Sequence, residues 1–165
     1  MSVLHYPTPS FEQKICSPED LIQRVKTLPR PLVFTNGCFD ILHRGHVTYL
    51  GQARELGSAM VVALNSDASV KRLGKGDDRP LNNLHDRLSV MAALACVDLV
   101  TWFDEDTPIE RILAARPDIL VKGGDWPLER IVGAAEVNAW GGKIHSIPFI
   151  HERSTTALVE KIRRL

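Results

Sequence analysis

The sequence predicts an α/β fold: five parallel strands in one sheet, with helices on both faces. Two observations carry that expectation. Short apolar runs alternate with helical patterns along almost the whole chain, which is the signature of βαβ units. The runs are apolar throughout rather than alternating, as in strands covered on both sides. The chain's 165 residues suit a single domain with one sizeable core.

Residues 1–30 read as an N-terminal extension with a short helix, and residues 31–165 as the core of the domain. In the extension, Ser17-Pro18-Glu19-Asp20 has the form of an N-cap with Pro at the first helical position. The helix it opens runs to about Leu28, where Pro29-Arg30-Pro31 breaks it. Leu32-Val33-Phe34-Thr35 is the first strand. A helix follows a histidine-rich turn, with Tyr49, Leu50, Ala53 and Leu56 on one face and Gly57 as its stop. Met60 to Leu64 is the second strand. Leu73 to Asn83, rich in Gly, Asp and Asn, is a loop, after which Leu84, Leu88, Met91, Ala92 and Ala95 form another helical face. Val97 to Phe103 is the third strand. Thr107-Pro108-Ile109-Glu110 has the form of a capping box, and Arg116-Pro117 closes that helix. Ile119-Leu120-Val121 is the fourth strand and Ile144 to Ile147 the fifth. Ser154-Thr155-Thr156 opens a last helix carrying Leu158, Ile162 and Leu165. Sheets of this kind bind ligands beyond the carboxyl ends of their strands, where strand order reverses. Functional residues are therefore expected after strands one, two, four and five.

Twenty Lys+Arg balance twenty Asp+Glu, so the net charge is zero. That excludes a general nucleic-acid or membrane-surface binder, which needs a basic excess. No apolar run approaches the ~20 residues of a membrane span, and Met1 to Gln13 has no secretory signal. Cys16, Cys38 and Cys96 are scattered and contain no CxxC, which fits free thiols in a reducing cytoplasm.

The chemistry-bearing residues cluster after strands. Off the first strand runs Thr35-Asn36-Gly37-Cys38-Phe39-Asp40, then Ile41-Leu42-His43-Arg44-Gly45-His46. Two histidines around a glycine at a helix mouth can donate to phosphate oxygens, and the helix N-terminus adds free N–H groups. A zinc site would need further ligands that no Cys or His pair supplies, so no metal ligation is expected. Asp40 suits a loop-orienting role. Lys71, Arg72 and Lys75 follow the second strand, where they neutralise a phosphate-bearing substrate or cover a solvated helix. Arg79 and Arg87 flank the next turn, and Arg87 can pair with Asp86 or a neighbour. Lys122-Gly123-Gly124-Asp125 ends the fourth strand. A lysine there needs a counter-charge, such as a phosphate. The glycines admit a ligand closely, and Asp125 suits sugar hydroxyls, a ribose or a metal. Ser154-Thr155-Thr156 offers hydroxyls and N–H groups to an anion. Trp102, Trp126 and Trp140 read as core or edge packing.

His43-Arg44-Gly45-His46, in the setting Asn36 to Asp40, resembles the HxGH signature of the nucleotidyltransferase superfamily. Asn65 to Leu73, Asp78-Arg79-Pro80-Leu81, Val121 to Trp126 and Ser154-Thr155-Thr156 resemble one branch, the adenylyltransferase domains of bifunctional ADP-heptose synthases of lipopolysaccharide biosynthesis. The likeness covers roughly Leu32 to Leu165. It implies a Rossmann-like nucleotidyltransferase fold. It further implies transfer of AMP from ATP to D-glycero-β-D-manno-heptose 1-phosphate, with Mg²⁺ assisting, to give ADP-heptose and pyrophosphate without a covalent enzyme intermediate.

The resemblance implies catalytic roles for His43, His46 and Lys122. It implies nucleotide binding by Thr35, Asn36, Gly37, Cys38, Phe39, Gly45, Gly123, Gly124, Asp125, Ser154, Thr155 and Thr156. Binding of the second substrate would fall to Asp40, Asn65, Asp67, Lys71, Arg72 and Arg79. A homodimer is expected, as is a separate heptose kinase, because only about thirty residues precede the first strand. The chain departs from the pattern at two places. Cys38 stands where many members have Thr, and the segment before Ser154 lacks the Arg-Thr and Gly of related cytidylyltransferases, with Arg153 as a displaced cation. A cytidylyltransferase acting on glycerol 3-phosphate or phosphoethanolamine is the alternative reading.

Overall fold

The structure, a computed structural model, describes residues 6–74, 76, 78–150 and 155–165, with only the backbone at Thr156. Lys75, Arg153 and Ser154 lie outside the described residues. Five strands, β1 (Leu32–Gly37), β2 (Ala59–Asn65), β3 (Leu99–Phe103), β4 (Ile119–Gly123) and β5 (Lys143–Ile147), form one parallel sheet in the order β3-β2-β1-β4-β5. The helices are α1 (Leu21–Val25), α2 (Arg44–Arg54), α3 (Asp67–Arg72), α4 (Leu84–Ala92), α5 (Ile109–Ala115), α6 (Ala134–Ala139) and α7 (Thr155–Arg163). None is long and apolar enough to cross a membrane.

Period-two alternation along each strand builds two cores. Phe34, Val61 and Leu120 pack with Leu21, Ile112 and Val137 of α1, α5 and α6. Val33, Met60 and Val62 face the other way, onto Tyr49, Leu50 and Ala53 of α2 and Leu88 and Met91 of α4. Helices therefore cover both faces, as the uninterrupted apolar strands required.

Local signals behave differently from the reading in three places. Thr107 does not cap α5: that helix begins after Pro108 with no side-chain cap, and Arg116 in the left-handed conformation ends it. Gly57 does not end α2 by a positive φ; a Cβ there would stand 2.5 Å from the Pro31 carbonyl oxygen, so the glycine admits the chain entering β1. Ser17 caps a turn before α1 rather than the helix itself, accepting from the Asp20 N–H at 3.2 Å. Helix α3 agrees with the solvated-helix reading of Lys71 and Arg72, whereas α6, only six residues long, was not expected as a separate element.

One register feature positions the site. β1 pairs with β2 over six residues, yet with β4 only at Val33↔Ile119 and Phe34↔Leu120. Beyond those pairs the two strands part, at the point where strand order reverses. Tyr49 fills the parting. Its buried hydroxyl bonds the Thr35 hydroxyl on β1 and donates at 3.5 Å to the Val121 carbonyl on β4.

Candidate active site

The crevice opened by β1 and β4 holds a cavity of about 270 Å³, lined by Asn36, Gly37, Cys38, Phe39, His46, Tyr49, Lys122, Gly123, Trp126 and Phe149. At its wall α2 begins with His43 in the N-cap position, extended and without a side-chain cap. The His46 N–H already donates to the His43 carbonyl at 2.9 Å, no side chain caps the turn before it, and the helix dipole favours an anion there. Two other helices on this edge, α3 and α4, are closed by side chains. The Ser66 hydroxyl accepts from the Ser69 N–H to cap α3, and Asn83 accepts from the Asp86 N–H to cap α4.

His43 and His46 stack face to face, with ring centroids 3.8 Å apart and planes at 18°. The edges of Phe39 and Phe149 flank His46. Each imidazole has a buried Nδ1 with no hydrogen-bond partner among the described residues. Burial lowers the pKa of His43. For His46 burial and then the neighbouring His43 push it down to about 4, against the opposing pull of the Ile41 carbonyl. Both rings are therefore neutral in the free protein near pH 7, and a bound polyanion would favour their charged, doubly donating form.

The strand-to-helix loop is clamped on both sides of Phe39, whose φ of 46° is a left-handed conformation that a bulky residue adopts only under constraint. On one side Arg87 Nη1 donates 2.8 Å bonds to the carbonyls of Cys38 and Asn65. On the other, the Asp40 carboxylate accepts from Arg79 Nη1 at 2.8 Å and from the N–H groups of Leu81 and Asn82 at 2.9 Å. Burial acts to raise the Asp40 pKa, but the Asn82 and Leu81 amides and Arg79 outweigh it and hold the group below its ordinary value.

The sequence-derived residues separate accordingly. Asn36, Gly37, Cys38, Phe39, His46, Lys122 and Gly123 line the cavity, and His43 stacks on His46. Gly45 is buried in the first turn of α2. Thr35 is fully buried and bonded to Tyr49, so its side chain stands behind the wall rather than facing a nucleotide. Gly123 and Gly124 admit aromatic rings: Cβ atoms there would meet Phe149 and Trp126 at 2.8 Å. Asp125 is exposed and outside this cavity's lining. Thr155 donates to the Ile41 carbonyl at 3.4 Å, which ties α7 to the histidine loop.

The group expected around the second substrate is mostly engaged elsewhere. Asp40 and Arg79 hold each other, and Asn65 Nδ2 donates to the Ser69 hydroxyl at 3.0 Å. Asp67 accepts from Arg87 at 2.7 Å, and Arg72 pairs with Asp106 at 2.7 Å. Lys71 is exposed on α3, outside the cavity lining. In place of these, the structure brings in Tyr49, Trp126 and Phe149. Trp126 stands two residues past the glycine pair, a positional signal that outweighs its reading as packing; Phe149 lies in an irregular segment with no periodic signal.

A family model described as cytidylyltransferase-like matches residues 34–161, from the first strand to the last helix. The chain belongs to this family. Among relatives of this cytidylyltransferase-like domain, a D-beta-D-heptose 1-phosphate adenylyltransferase of Bordetella bronchiseptica is 60% identical over 156 residues, covering 93% of this chain and 96% of the relative. The bifunctional protein HldE of a Marinomonas species is 52% identical over 150 residues, 89% of this chain but 31% of the relative. A crystal structure of a lipopolysaccharide core biosynthesis protein from Thermoplasma volcanium superposes with a TM-score of 0.60 at 26% identity, covering 74% of this chain and 98% of that one. A pantoate-beta-alanine ligase from Francisella tularensis shares the fold, with a TM-score of 0.60 at 14% identity over 92% of this chain and 72% of that one.

Proposed function

We propose that this chain transfers AMP from ATP to D-glycero-β-D-manno-heptose 1-phosphate, releasing pyrophosphate and ADP-heptose for lipopolysaccharide core synthesis. For the chemistry, the observation that carries the reading is the stacked His43–His46 pair on the uncapped N-terminus of α2, with Lys122 in the same crevice. The sugar is supported by 60% identity across nearly the whole of both chains to a heptose 1-phosphate adenylyltransferase.

In this reading an acceptor phosphate oxygen attacks the α-phosphorus while the bond to the bridging α,β-oxygen breaks. Its electron pair leaves on pyrophosphate, and a dianionic acceptor needs no base. His43 and His46 donate to the oxygens on which charge builds, an interaction stronger in the transition state than in the ground state. Lys122 neutralises the incoming phosphate. The described residues hold no cluster of three His, Cys, Asp or Glu side chains. Magnesium would enter with ATP and supply neutralisation of the phosphate charge. The reading includes a cytoplasmic enzyme, consistent with three free cysteines. It also includes a homodimer, with exposed Ile150 and Ile162 as candidate contact residues and light scattering as its check.

The test is a pyrophosphate assay. Release that requires ATP, Mg²⁺ and the heptose 1-phosphate together supports the proposal. Turnover with CTP and glycerol 3-phosphate or phosphoethanolamine instead would overturn it.

A further inference from the structure

The histidine cavity continues past Asn36, Lys122 and Trp126 into a second recess of about 160 Å³, whose other walls are Pro108, Arg130, Ile131 and Val132. The two lobes lie on opposite sides of the parted strands. Tyr49 and Phe39 of the first belong to the core beneath α2, whereas Ile131 of the second belongs to the core with Ile112 and Val137. Lys122 stands between them and lines both.

A two-substrate phosphoryl transfer needs such a layout. The attacking and leaving oxygens must lie roughly in line through the α-phosphorus, so the two substrates approach from different sides. With the triphosphate on the α2 side, the acceptor must come from the other. The second recess also carries the means to hold one. Arg130 is exposed, its side chain makes no hydrogen bond or ion pair among the described residues, and its guanidinium fork matches a phosphate bidentately. Arg72, Arg79 and Arg87, by contrast, are already committed to Asp106, Asp40 and Asp67. Lys71 lines neither lobe. The Trp126 ring is fixed in place, its indole N–H donating to the Gly123 carbonyl at 3.1 Å, and it is 48% exposed, a platform for the carbon face of a sugar.

We propose that this recess is the acceptor subsite, seating a sugar phosphate with its phosphate between Arg130 and Lys122 and its carbons against Trp126 and Val132. The proposal rests on the adenylyl transfer put forward above. It moves the second substrate away from α3 and the Arg79 loop to the far side of β4.

Initial rates of pyrophosphate release, with heptose 1-phosphate and ATP varied in turn, test it in the full chain. Arg130→Ala should raise the acceptor KM about tenfold to a hundredfold, the loss of one charge-assisted contact. It should leave kcat within about threefold, a uniform-binding effect. ATP affinity by calorimetry and thermal stability should match the parent, because the Arg130 side chain makes no internal bond among the described residues, and Arg130→Lys should recover part of the loss. An unchanged acceptor KM in Arg130→Ala overturns the subsite, as does equal weakening of ATP, or an acceptor effect found in Lys71→Ala instead. If the parent chain releases pyrophosphate but Arg130→Ala is indifferent, only the subsite fails. If the parent is inactive with this acceptor, both readings fail.

Discussion

The carboxyl edge of this sheet has two halves built from the same kinds of residue to opposite ends. Over β2 and β3 the arginines are tied down, Arg72, Arg79, Arg87 and Arg111 each to a carboxylate. Arg87, with a fully buried side chain, spends its guanidinium on the Cys38, Asn65 and Asn82 carbonyls and the Asp67 carboxylate. Arg72 bridges to the Asp104 carbonyl and Asp106, and Ser66 and Asn83 cap their helices. Over β1 and β4 the strands part, α2 is uncapped, and two buried imidazole nitrogens lack partners among the described residues. Two stacked imidazoles with buried, unpartnered nitrogens at an uncapped helix N-terminus mark where a polyanion belongs, because unsatisfied buried groups are costly unless a ligand completes them. The closed half also serves the open one, since Arg87 and Asp40 hold the loop in which Phe39 is strained.

Variants can break this contrast from either side. The largest effect is expected on the open half. His46→Ala should lower the chemical step about 10³-fold, with ATP affinity little changed. Single-turnover rates beside calorimetry check it; equal losses in binding and rate would make His46 a simple binding residue. On the closed half, Arg87→Met should cost about 3 kcal/mol in urea unfolding, because it strands three carbonyls and a carboxylate. Asp40→Asn, which leaves the buried Arg79 without its counter-charge, should cost about 2 kcal/mol. The Asp40 pKa lies below its unfolded value of 3.8, so its contribution is present above that pH and disappears as pH falls through the folded value. The variant should therefore lose less stability than the parent in acid.

Smaller effects sharpen the same contrast. His46 titrates near 4 when folded and 6.5 when unfolded, so protons favour the unfolded chain between those values. Melting temperature should fall as pH drops from 6.5 toward 4, and His46→Gln should flatten that slope. Smallest of all, Arg72→Ala removes an exposed pair worth about 0.5 kcal/mol and should leave turnover unchanged. A large loss of activity there would return the second substrate to α3.

Much of the fold was legible because fully apolar strands alternate with amphipathic helices, and the first strand, the histidine turn and the Lys122–Asp125 segment point to the crevice in the sequence alone. The partners of charged residues were not legible. Arg79, Arg72 and Asp67 look like substrate contacts when read as isolated charges after a strand, and only three-dimensional proximity across 39, 34 and 20 residues turns them into ion pairs. Thr35 was misplaced for a related reason: strand alternation does not say that a tyrosine from α2 will take its hydroxyl. Arg130 lies on a one-turn helix without periodicity, so nothing in its neighbourhood marked it.

A crystal structure with a non-hydrolysable ATP analogue tests the central claim most directly. The account predicts the triphosphate on the N-terminus of α2, with the His43 and His46 imidazoles and Lys122 within hydrogen-bond distance of phosphate oxygens and Arg87 and Asp40 unmoved. A triphosphate bound instead over α3, on Lys71 and Arg72, would contradict it.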